Sequence, residues 1–508
     1  MSTSLNAARR GRDLAALAGG EVFDLLVVGL GATGAGTALD AAARGLRVAA
    51  IDAHDLAFGT SRWSSKLVHG GLRYLARLDV GVAYESAQER HVLMTRTAPH
   101  LVRALPIVLP RAAAHGRAAA GFARAATVAG ELLRTTAGTP RTVLPAPRRL
   151  SAVETRTLVP ALRAAGLRGG LLSWEGQLCD DARLVVGLAR AAAGLGARIV
   201  TRCRALALSG DGAQVRDELS GTSFPVNARA VVNATGVWAG TLAPRVRLRP
   251  SRGTHVVLAA EAFGGLCTGL MVPVPGELNR YVFALPQTDG QVYAGLTDEP
   301  VDGPVPDVAD PPESDITFLL HTLSAALERP LRRADVRGAF AGLRPLLDTG
   351  TGRTADLSRR HAVLTGHDGV VTVVGGKLTT YRRMAADTVD AAVRLRRLPA
   401  GRSRTGRLPL PGAAPARLLA TVAAPRRLVA RYGVEAPRVL AEAGPAGHEP
   451  VVPGGPVTVA ELLWAIRHEG ALDTADLLDR RTRIGLVPAD RGAALPVAEE
   501  LLARAPTA

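Results

Sequence analysis

The chain has 508 residues, of which 47% are hydrophobic and 21% are charged, and its formal net charge is +17. These values exclude a disordered chain and predict a globular protein of two or three domains. The basic excess favours anionic partners such as phosphorylated metabolites, nucleic acid or acidic lipid, and biased codon usage is the alternative explanation.

The three cysteines, Cys179, Cys203 and Cys267, are isolated in the sequence and odd in number. They predict neither a disulfide framework nor a metal-ligand cluster, and they favour a reducing compartment. The N-terminus lacks the continuous apolar stretch of a signal peptide. Because we find no apolar run of 18 residues without charge, we expect no transmembrane helix.

Residues 1–20 are predicted to be a tail or a short helix. The apolar run at residues 25–28 is typical of a buried parallel strand. Gly29, Gly31 and Gly34 follow with G-x-G-x-x-G spacing. In this pattern the first glycine permits a tight turn, the second lets the backbone approach a pyrophosphate, and the third lets helix and strand pack closely.

A helix is predicted over residues 35–43, with its positive N-terminal end towards the phosphates. Residues 48–51 form the next predicted strand, and Asp52 follows it. An acid about 20 residues past such glycines accepts hydrogen bonds from a ribose hydroxyl. The whole unit therefore predicts nucleotide binding, whereas an isolated glycine turn would not.

Residues 111–141 are rich in alanine and arginine, and Glu131 is their only acid. A basic amphipathic helix of this kind can lie on an anionic membrane, and a solvated helix packed on the protein is the alternative. The residues proposed for its apolar face and its basic flanks are Phe122, Val128, Leu132, Leu133, Arg117, Arg124 and Arg134.

Two later strands also end in glycine turns. Residues 231–236 include Ala234 and Gly236, and residues 370–374 precede Gly375 and Gly376. Three such turns are expected to meet at one sheet edge and to hold an extended dinucleotide. Residues 251–299 predict an antiparallel sheet, residues 398–417 a linker, and the chain beyond it a helical domain.

The segments DLLVVGLGATGAGTALDAAARGL, SSKLVHGGLRYL, CDDARLV, VVNATGVWA, GLRPLL, VVGGKLTTYR and LLWAIRHEGALDTADLLDRRTRIGL resemble the FAD-dependent, quinone-linked glycerol-3-phosphate dehydrogenases. The resemblance covers nearly all of the chain past residue 20. It implies an α/β fold: an FAD-binding Rossmann-like domain of the glutathione-reductase type, an antiparallel β substrate domain and a helical C-terminal domain. Asp52 stands where glutamate is commoner in the family.

The domain boundaries expected from these features are an N-terminal tail at 1–20, an FAD-dependent oxidoreductase region at 21–397, a linker at 398–417 and a helical C-terminal domain at 418–508. Within the large region, FAD-binding segments at about 21–100, 150–240 and 340–397 are interleaved with substrate or cap segments at about 101–149 and 241–339.

The resemblance implies that sn-glycerol 3-phosphate is oxidised to dihydroxyacetone phosphate, with hydride transfer to FAD and electrons passed to a membrane quinone. An oxidase that uses oxygen and forms hydrogen peroxide is the alternative. The expected location is cytoplasmic, peripheral on an anionic surface at the inner face of the cell membrane. We expect neither a nucleic-acid partner nor a metal, and a homodimer is compatible with the sequence.

The resemblance also implies the site residues. For the substrate phosphate they are Arg73, Tyr74, Arg344, Arg359 and Lys377; Arg360 competes with Arg359 for the inward position. Either His69 or His255 is expected to take the proton from the C2 hydroxyl, with Arg344 stabilising the developing alkoxide. The cofactor-binding candidates are Gly29, Gly31, Gly34, Asp52, Thr60, Ser61, Ser64, Ser65, Ala234, Gly236, Gly375, Gly376, Leu378 and Thr379.

Three other classes of protein compete with this interpretation. An amino-acid oxidase would share the FAD domain but not the GGKLTTYR segment or the helical C-terminal domain. An NAD-linked dehydrogenase would need the first glycine turn alone. A non-catalytic binding module would not need the whole set of basic and histidine candidates.

Overall fold

The computed structural model describes residues 2–71, 79–112, 128–277, 280–348 and 360–504. The strands in these ranges are β1 (Val22–Phe23), β2 (Leu25–Val28), β3 (Val48–Ile51), β4 (Leu67–Val68), β5 (Val102–Ala112), β6 (Arg148–Leu150), β7 (Leu167–Leu178), β8 (Arg198–Val200), β9 (Cys203–Ser209), β10 (Gly212–Asp217), β11 (Ser223–Ala228), β12 (Val231–Asn233), β13 (Ser251–Ala259), β14 (Gly269–Pro273), β15 (Tyr281–Pro286), β16 (Gln291–Gly295), β17 (Glu299–Pro300), β18 (Val336–Arg344), β19 (His361–Thr365) and β20 (Val371–Gly375).

The α-helices with both ends in the same ranges are α1 (Ala7–Ala18), α2 (Ala32–Ala43), α3 (Val80–Val92), α4 (Ala152–Leu158), α5 (Asp181–Gly194), α6 (Ala239–Leu242), α7 (Glu313–Ser324), α8 (Tyr381–Arg396), α9 (Ala416–Leu419), α10 (Arg426–Tyr432), α11 (Ala436–Ala441), α12 (Val459–His468) and α13 (Pro488–Ala503).

A six-stranded sheet with the order β19-β20-β12-β2-β3-β8 carries the predicted nucleotide-binding unit. Its strands are parallel except β19, which pairs antiparallel with β20. All four residues of β2 and all four of β3 are buried, as expected of strands covered on both faces. The helix predicted at 35–43 begins earlier, at Ala32, and packs between the sheet and helices α5 and α8.

The largest sheet in the described residues has ten strands. Eight of them follow the order β17-β13-β16-β15-β14-β5-β7-β4, while β18 pairs with β13 and β6 pairs with β7. The prediction of antiparallel strands over 251–299 is confirmed, because β13 to β17 pair with one another in that sense. One face of this sheet packs on α7 through a separate apolar core. The other contributes to the cavity described below.

The N-terminal residues pack on the protein. Helix α1 begins at the N-cap Asn6, and its Leu17 is fully buried beside a four-stranded sheet with the order β1-β11-β10-β9. Arg10 in this helix donates from Nε to the carbonyl of Thr201 at 2.8 Å. Of the two predictions for residues 1–20, the structure therefore contains the short helix.

The predicted basic segment lies only partly inside the described residues, because Phe122, Arg117 and Arg124 fall outside them. Residues 128–136 are helical. Val128 and Leu132 are exposed, whereas Leu133 is buried against Ala83 and Ala87. The proposed apolar face is thus divided: Leu133 belongs to the core, and the exposed pair remains on the surface.

The chain from 397 to 415 contains one short 3-10 helix, and helices α9 to α13 follow it. Helices α10 to α13 and the segments between them contribute to two apolar cores, one around Trp464 and one around Leu477. No helix in the described part of the chain is long and apolar enough to cross a bilayer. The described residues also contain no group of three or more His, Cys, Asp or Glu side chains placed to hold a metal ion.

Candidate active site

A cavity of about 2240 Å³ lies between the carboxyl ends of β2, β12 and β20 and the large sheet. It is larger than the roughly 300–1,000 Å³ typical of small-ligand pockets, as an extended dinucleotide beside a substrate requires. Arg73, Tyr74 and Arg359 lie outside the described residues. The predicted site residues that line the cavity are Gly29, Gly31, Asp52, Thr60, Ser61, Ser64, Ser65, His69, Ala234, Gly236, His255, Arg344, Gly375, Gly376, Lys377, Leu378 and Thr379.

The first glycine turn has the predicted geometry. Gly29 has a φ of +100°, and a Cβ atom there would lie 2.6 Å from the carbonyl oxygen of Ala234. Gly34 does not line the cavity; a Cβ atom on it would lie 1.7 Å from the carbonyl oxygen of Gly29. The two glycines therefore bring α2 against the ends of β2 and β12.

The N-terminus of α2 opens into the cavity. Its N-cap, Gly31, has no side chain to accept the first N–H groups, and the Ser61 hydroxyl accepts one of them, from Ala32 N at 2.9 Å. Asp52 accepts from Leu30 N at 2.6 Å and from His54 N at 2.8 Å. Burial raises the pKa of Asp52 to about 6.

The other two glycine turns reach the same space. Gly236 has a φ of +62°, and Gly375 and Gly376 have φ values of +77° and +72°, a region that side-chain-bearing residues rarely adopt. Leu378 and Thr379 lie in a 3-10 helix that leads into α8. The prediction that three distant turns meet at one sheet edge is confirmed by the pairing of β2, β12 and β20.

These features fit FAD. Helix α2 presents a glycine N-cap to the cavity, which suits a pyrophosphate. Asp52 lies at the end of the neighbouring strand, as a ribose contact requires. The three turns and the segment 60–65 also line the cavity, in which the remainder of an extended flavin dinucleotide would lie.

The segment 60–65 is held by hydrogen bonds to three distant elements. The Thr60 hydroxyl donates to the carbonyl of Leu343 at 2.6 Å, and the Ser64 hydroxyl donates to Asp181 Oδ2 at 2.7 Å. Ser65 Oγ lies 2.8 Å from His255 Nε2. Ser64 lines the cavity, and its hydroxyl fixes the turn through the bond to Asp181.

His255 lies on β13 and is 2% exposed, with its ring stacked on Phe340 at a centroid distance of 4.8 Å. Burial, with smaller contributions from Lys66 and Arg344, lowers the pKa of His255 to about 3. The imidazole is therefore neutral at physiological pH.

His69 differs from His255 because its side chain is exposed to the cavity, just after β4. Its position depends on Glu175, which accepts from Gly70 N at 3.0 Å and from Arg90 Nη1 at 2.8 Å. Glu175 and Arg90 line the cavity too, and sequence reasoning did not identify them.

Arg344 ends β18 and makes a fixed set of contacts. Its Nη1 donates to Asp298 Oδ1 at 3.0 Å and to Ser251 Oγ at 3.1 Å, while Nη2 donates to the carbonyl of Thr297 at 3.1 Å. A Cβ atom on Gly253 would lie 2.3 Å from Nη2, so this glycine provides the space for the guanidinium group. Asp298 was not predicted, and it places a negative charge beside the proposed phosphate ligand.

Lys377 precedes the 3-10 helix and donates from Nζ to the Ser86 hydroxyl on α3 at 2.7 Å. It lines the cavity together with Arg344 and His69. These three side chains, from three separate parts of the chain, give the cavity wall cationic and proton-accepting groups.

Lys66 is another residue that the sequence analysis missed; it does not line the cavity but holds the segment 60–65 from behind. Its side chain is fully buried, and its Nζ donates to Asp181 Oδ2 and to the carbonyl of Arg62, both at 2.8 Å. Burial and the nearby Arg483 lower the pKa of Lys66 to about 7, with Asp181 acting in the opposite direction. The available signal was its place within SSKLVHGG, next to two predicted serines.

Two family profiles match the chain. One, for FAD dependent oxidoreductases, covers residues 24–382, and the other, for the C-terminal domain of alpha-glycerophosphate oxidase, covers residues 403–505. Over 511 residues the chain is 53% identical to glycerol-3-phosphate dehydrogenase 1 of Mycobacterium tuberculosis (strain H37Rv), with 99% of each chain covered.

Solved structures give the same picture of the fold. Glycerol-3-phosphate dehydrogenase from Bacillus halodurans, complexed with FAD, is similar with a TM-score of 0.76 and 26% identity, over 98% of this chain and 94% of that chain. L-alpha-glycerophosphate oxidase from Mycoplasma pneumoniae, with FAD bound, is similar in fold with a TM-score of 0.58 and 20% identity, over 77% of this chain and 99% of that chain.

Proposed function

The chain belongs to the family of FAD-dependent glycerol-3-phosphate dehydrogenases, and from that premise we propose that it oxidises sn-glycerol 3-phosphate to dihydroxyacetone phosphate in the cavity described above. The single observation that carries the proposal is the convergence of three glycine turns with His69, Arg344 and Lys377 on one cavity. FAD, when bound, accepts the hydride from C2 of the substrate.

The cofactor would be held along the sheet edge. Gly29 and Gly31 allow the pyrophosphate to approach the N-terminus of α2, and Asp52 accepts from the ribose. The backbone at Gly236 and at Gly375 and the segment Thr60–Ser65 line the rest of the path. The chain thereby fixes where a substrate must stand for its C2 hydrogen to face the ring.

The substrate phosphate would be bound by Lys377 and Arg344, with the predicted Arg73, Tyr74 and Arg359 completing the set. Guanidinium groups bind phosphate oxygens in pairs, which orients the substrate as well as attracting it. Asp298 and Ser251 hold the Arg344 guanidinium group in one orientation, and that reduces the ordering needed on binding.

For the C2 hydroxyl proton we infer that His69 is the acceptor. Its side chain faces the cavity, whereas the low pKa of the buried His255 makes that ring a weak base. A general base works best when its pKa is near the working pH. His255 would instead contribute a hydrogen bond, with Ser65 fixing its ring.

As the electron acceptor we propose a membrane quinone, with the protein peripheral on the inner face of the membrane. The support is the family premise and the exposed apolar pair Val128 and Leu132 beside the arginine-rich segment. Oxygen is the alternative acceptor, and the two differ in their product: only the oxidase forms hydrogen peroxide.

The test is anaerobic reduction of the purified holoenzyme. Addition of sn-glycerol 3-phosphate should bleach the yellow flavin absorbance, and glycerol, which lacks the phosphate, should not do so at the same concentration. A flavin that glycerol 3-phosphate leaves oxidised would refute the proposal. Quinone reduction without peroxide in air would then favour the dehydrogenase over the oxidase.

A further inference from the structure

Residues 53–66, which follow Asp52 in the loop between β3 and β4, form one long wall of the cavity. We call this segment the cofactor loop. No described residue of the C-terminal helical region lines the cavity. The segment Arg480–Arg483 of that region forms hydrogen bonds to this loop and to Asp181, which binds the end of the loop. Three of the four residues in that segment are arginines: Arg480 and Arg481 bind Asp55 in the loop, and Arg483 binds Asp181, which anchors the end of the loop.

The first contact is at the start of the loop. Asp55 is fully buried, and both its oxygens are taken by Arg481, from Nη1 to Oδ2 at 2.7 Å and from Nη2 to Oδ1 at 2.8 Å. Arg480 Nε donates to Oδ2 as well, at 2.6 Å. Burial alone would raise the pKa of Asp55, but the two arginines outweigh it and hold that pKa below its ordinary value.

Phe58 and His54 connect this contact to the cavity wall. The Arg480 guanidinium group lies 5.7 Å from the centroid of the Phe58 ring, and that ring stacks on His54 at 3.8 Å. Phe58 and His54 both line the cavity, close to Asp52. The arginines therefore support, from outside, the side chains that face the end of the cavity assigned to the ribose.

The second contact is at the end of the loop. Arg483 Nη1 lies 3.3 Å from Asp181 Oδ1, and the other oxygen of Asp181 accepts from Ser64 and Lys66. Asp181 is fully buried at the N-terminus of α5. The same C-terminal segment is thus linked to both ends of the loop, about ten residues apart in sequence.

Other ion pairs join the C-terminal region to the FAD-binding part without touching the loop. Arg190 on α5 binds Glu435 with both terminal nitrogens, each at 2.8 Å; Arg190 is buried, and the side chain of Glu435 is 19% exposed. Simple attachment of one region to the other therefore does not require three arginines directed at the cofactor loop.

We propose that Arg480, Arg481 and Arg483 form a clamp that retains FAD by holding the cofactor loop in place, with these arginines acting as positioning residues. The loop lies along the cofactor path, so release of FAD requires it to move, and it moves only when buried charge pairs separate. Such separation is costly because it leaves unpaired charges out of water. The proposal concerns cofactor retention and does not depend on which substrate is oxidised.

The test compares FAD release from two holoenzyme variants. Arg481→Lys keeps the positive charge but loses the paired donation to Asp55. Arg190→Lys makes the same chemical change at Glu435 and is the matched control. Release is followed by the fluorescence of free FAD after dilution. We expect Arg481→Lys to release FAD at least tenfold faster than the parent protein and Arg190→Lys to stay within twofold of it.

Equal release rates for Arg481→Lys and the parent protein would overturn the clamp. So would equally fast release from both variants, because the effect would then belong to general attachment. If Arg481→Lys does not fold, hydrogen exchange of the parent protein decides the matter. Since coupling is reciprocal, removing FAD should speed exchange in residues 53–66 and 480–483 together while sparing 436–441. No change at 480–483 would refute the proposal.

Discussion

Ser65 Oγ lies 2.8 Å from His255 Nε2, and this contact joins the cofactor-lining segment 60–65 to the large sheet. The His255 ring is further fixed by stacking on Phe340, which also lies 5.1 Å from the Lys66 ammonium group. A ring held in this way has little freedom to approach and leave a substrate. His69, the other candidate base, has a side chain that is exposed to the cavity.

The two histidines should therefore respond differently to substitution. His69→Gln should lower kcat/KM roughly 100-fold or more, as expected for loss of a general base. His255→Gln should lower kcat/KM less. The measurement is steady-state kcat/KM for both variants under the same conditions; a larger loss in His255→Gln would make His255 the base.

Arg344→Ala should weaken substrate binding in the transition state. Loss of a charge-assisted phosphate contact, with Asp298 left without this partner, should cost about 3 kcal/mol, or roughly 100-fold in kcat/KM. Arg337→Ala is the control, since Arg337 lies on the same strand but faces Asp490 outside the cavity. Steady-state kinetics on both variants check this, and equal effects would remove Arg344 from the site.

Gly34→Ala tests the tight packing of α2. Its Cβ would lie 1.7 Å from the Gly29 carbonyl oxygen, so either the helix or the strand must shift, at a cost of about 3 kcal/mol. The variant should show a lower midpoint of thermal unfolding and less bound FAD. Gly11→Ala, in α1 with no atom within 4 Å of the new Cβ, should instead be stabilising by up to about 1 kcal/mol. A Gly34→Ala protein with parental stability would contradict the packing argument.

The parts of the fold and site that the sequence predicts are those encoded by neighbouring residues. Buried strand, glycine turn and helix follow each other within 20 residues at Leu25–Ala43, so their geometry depends on local backbone freedom. The meeting of this turn with Gly236 and Gly375 was also predictable, because parallel strands end at one edge.

The sequence does not predict which residues pair with the site residues. Asp298 beside Arg344, and Asp181 beside Lys66, are 46 and 115 residues apart in sequence from those partners. No periodicity connects such positions, and each acid alone resembles a surface residue. The same holds for Asp55 and Arg481, whose contact spans 426 residues and depends on how the C-terminal region docks.

The affinity for FAD should depend on the ionisation of Asp52. Burial raises the pKa of Asp52 to about 6 in the protein without cofactor, above its value of roughly 3.9 in an unfolded chain. This stabilises the cofactor-free fold at low pH, and the contribution is lost as pH rises through 6. The affinity for FAD should depend on pH in the opposite direction from this stability, because the ribose hydroxyls need an ionised acceptor.

FAD binding should accordingly weaken as pH falls through about 6, with Asp55 and Arg202 as the nearest charged groups that act on Asp52. Asp52→Asn should bind FAD more weakly at pH 8 and lose this pH dependence. Titration of the cofactor-free protein with FAD at several pH values is the measurement. A pH dependence that persists in Asp52→Asn would assign it to another group.

Binding to membranes should depend on both charge and the exposed apolar pair. Val128 and Leu132 are 65% and 63% exposed beside a segment with many arginines and few acids. If that surface docks on a bilayer, association with vesicles containing anionic lipid should fall as salt rises.

Val128→Ser together with Leu132→Ser should weaken vesicle association at every salt concentration, because apolar area is lost. Val153→Ser is the control, since Val153 is 77% exposed on α4 and lies outside the arginine-rich segment in the sequence. Vesicle co-sedimentation distinguishes the cases: binding that ignores both salt and the double substitution would show that residues 128–136 are a solvated helix of the protein surface.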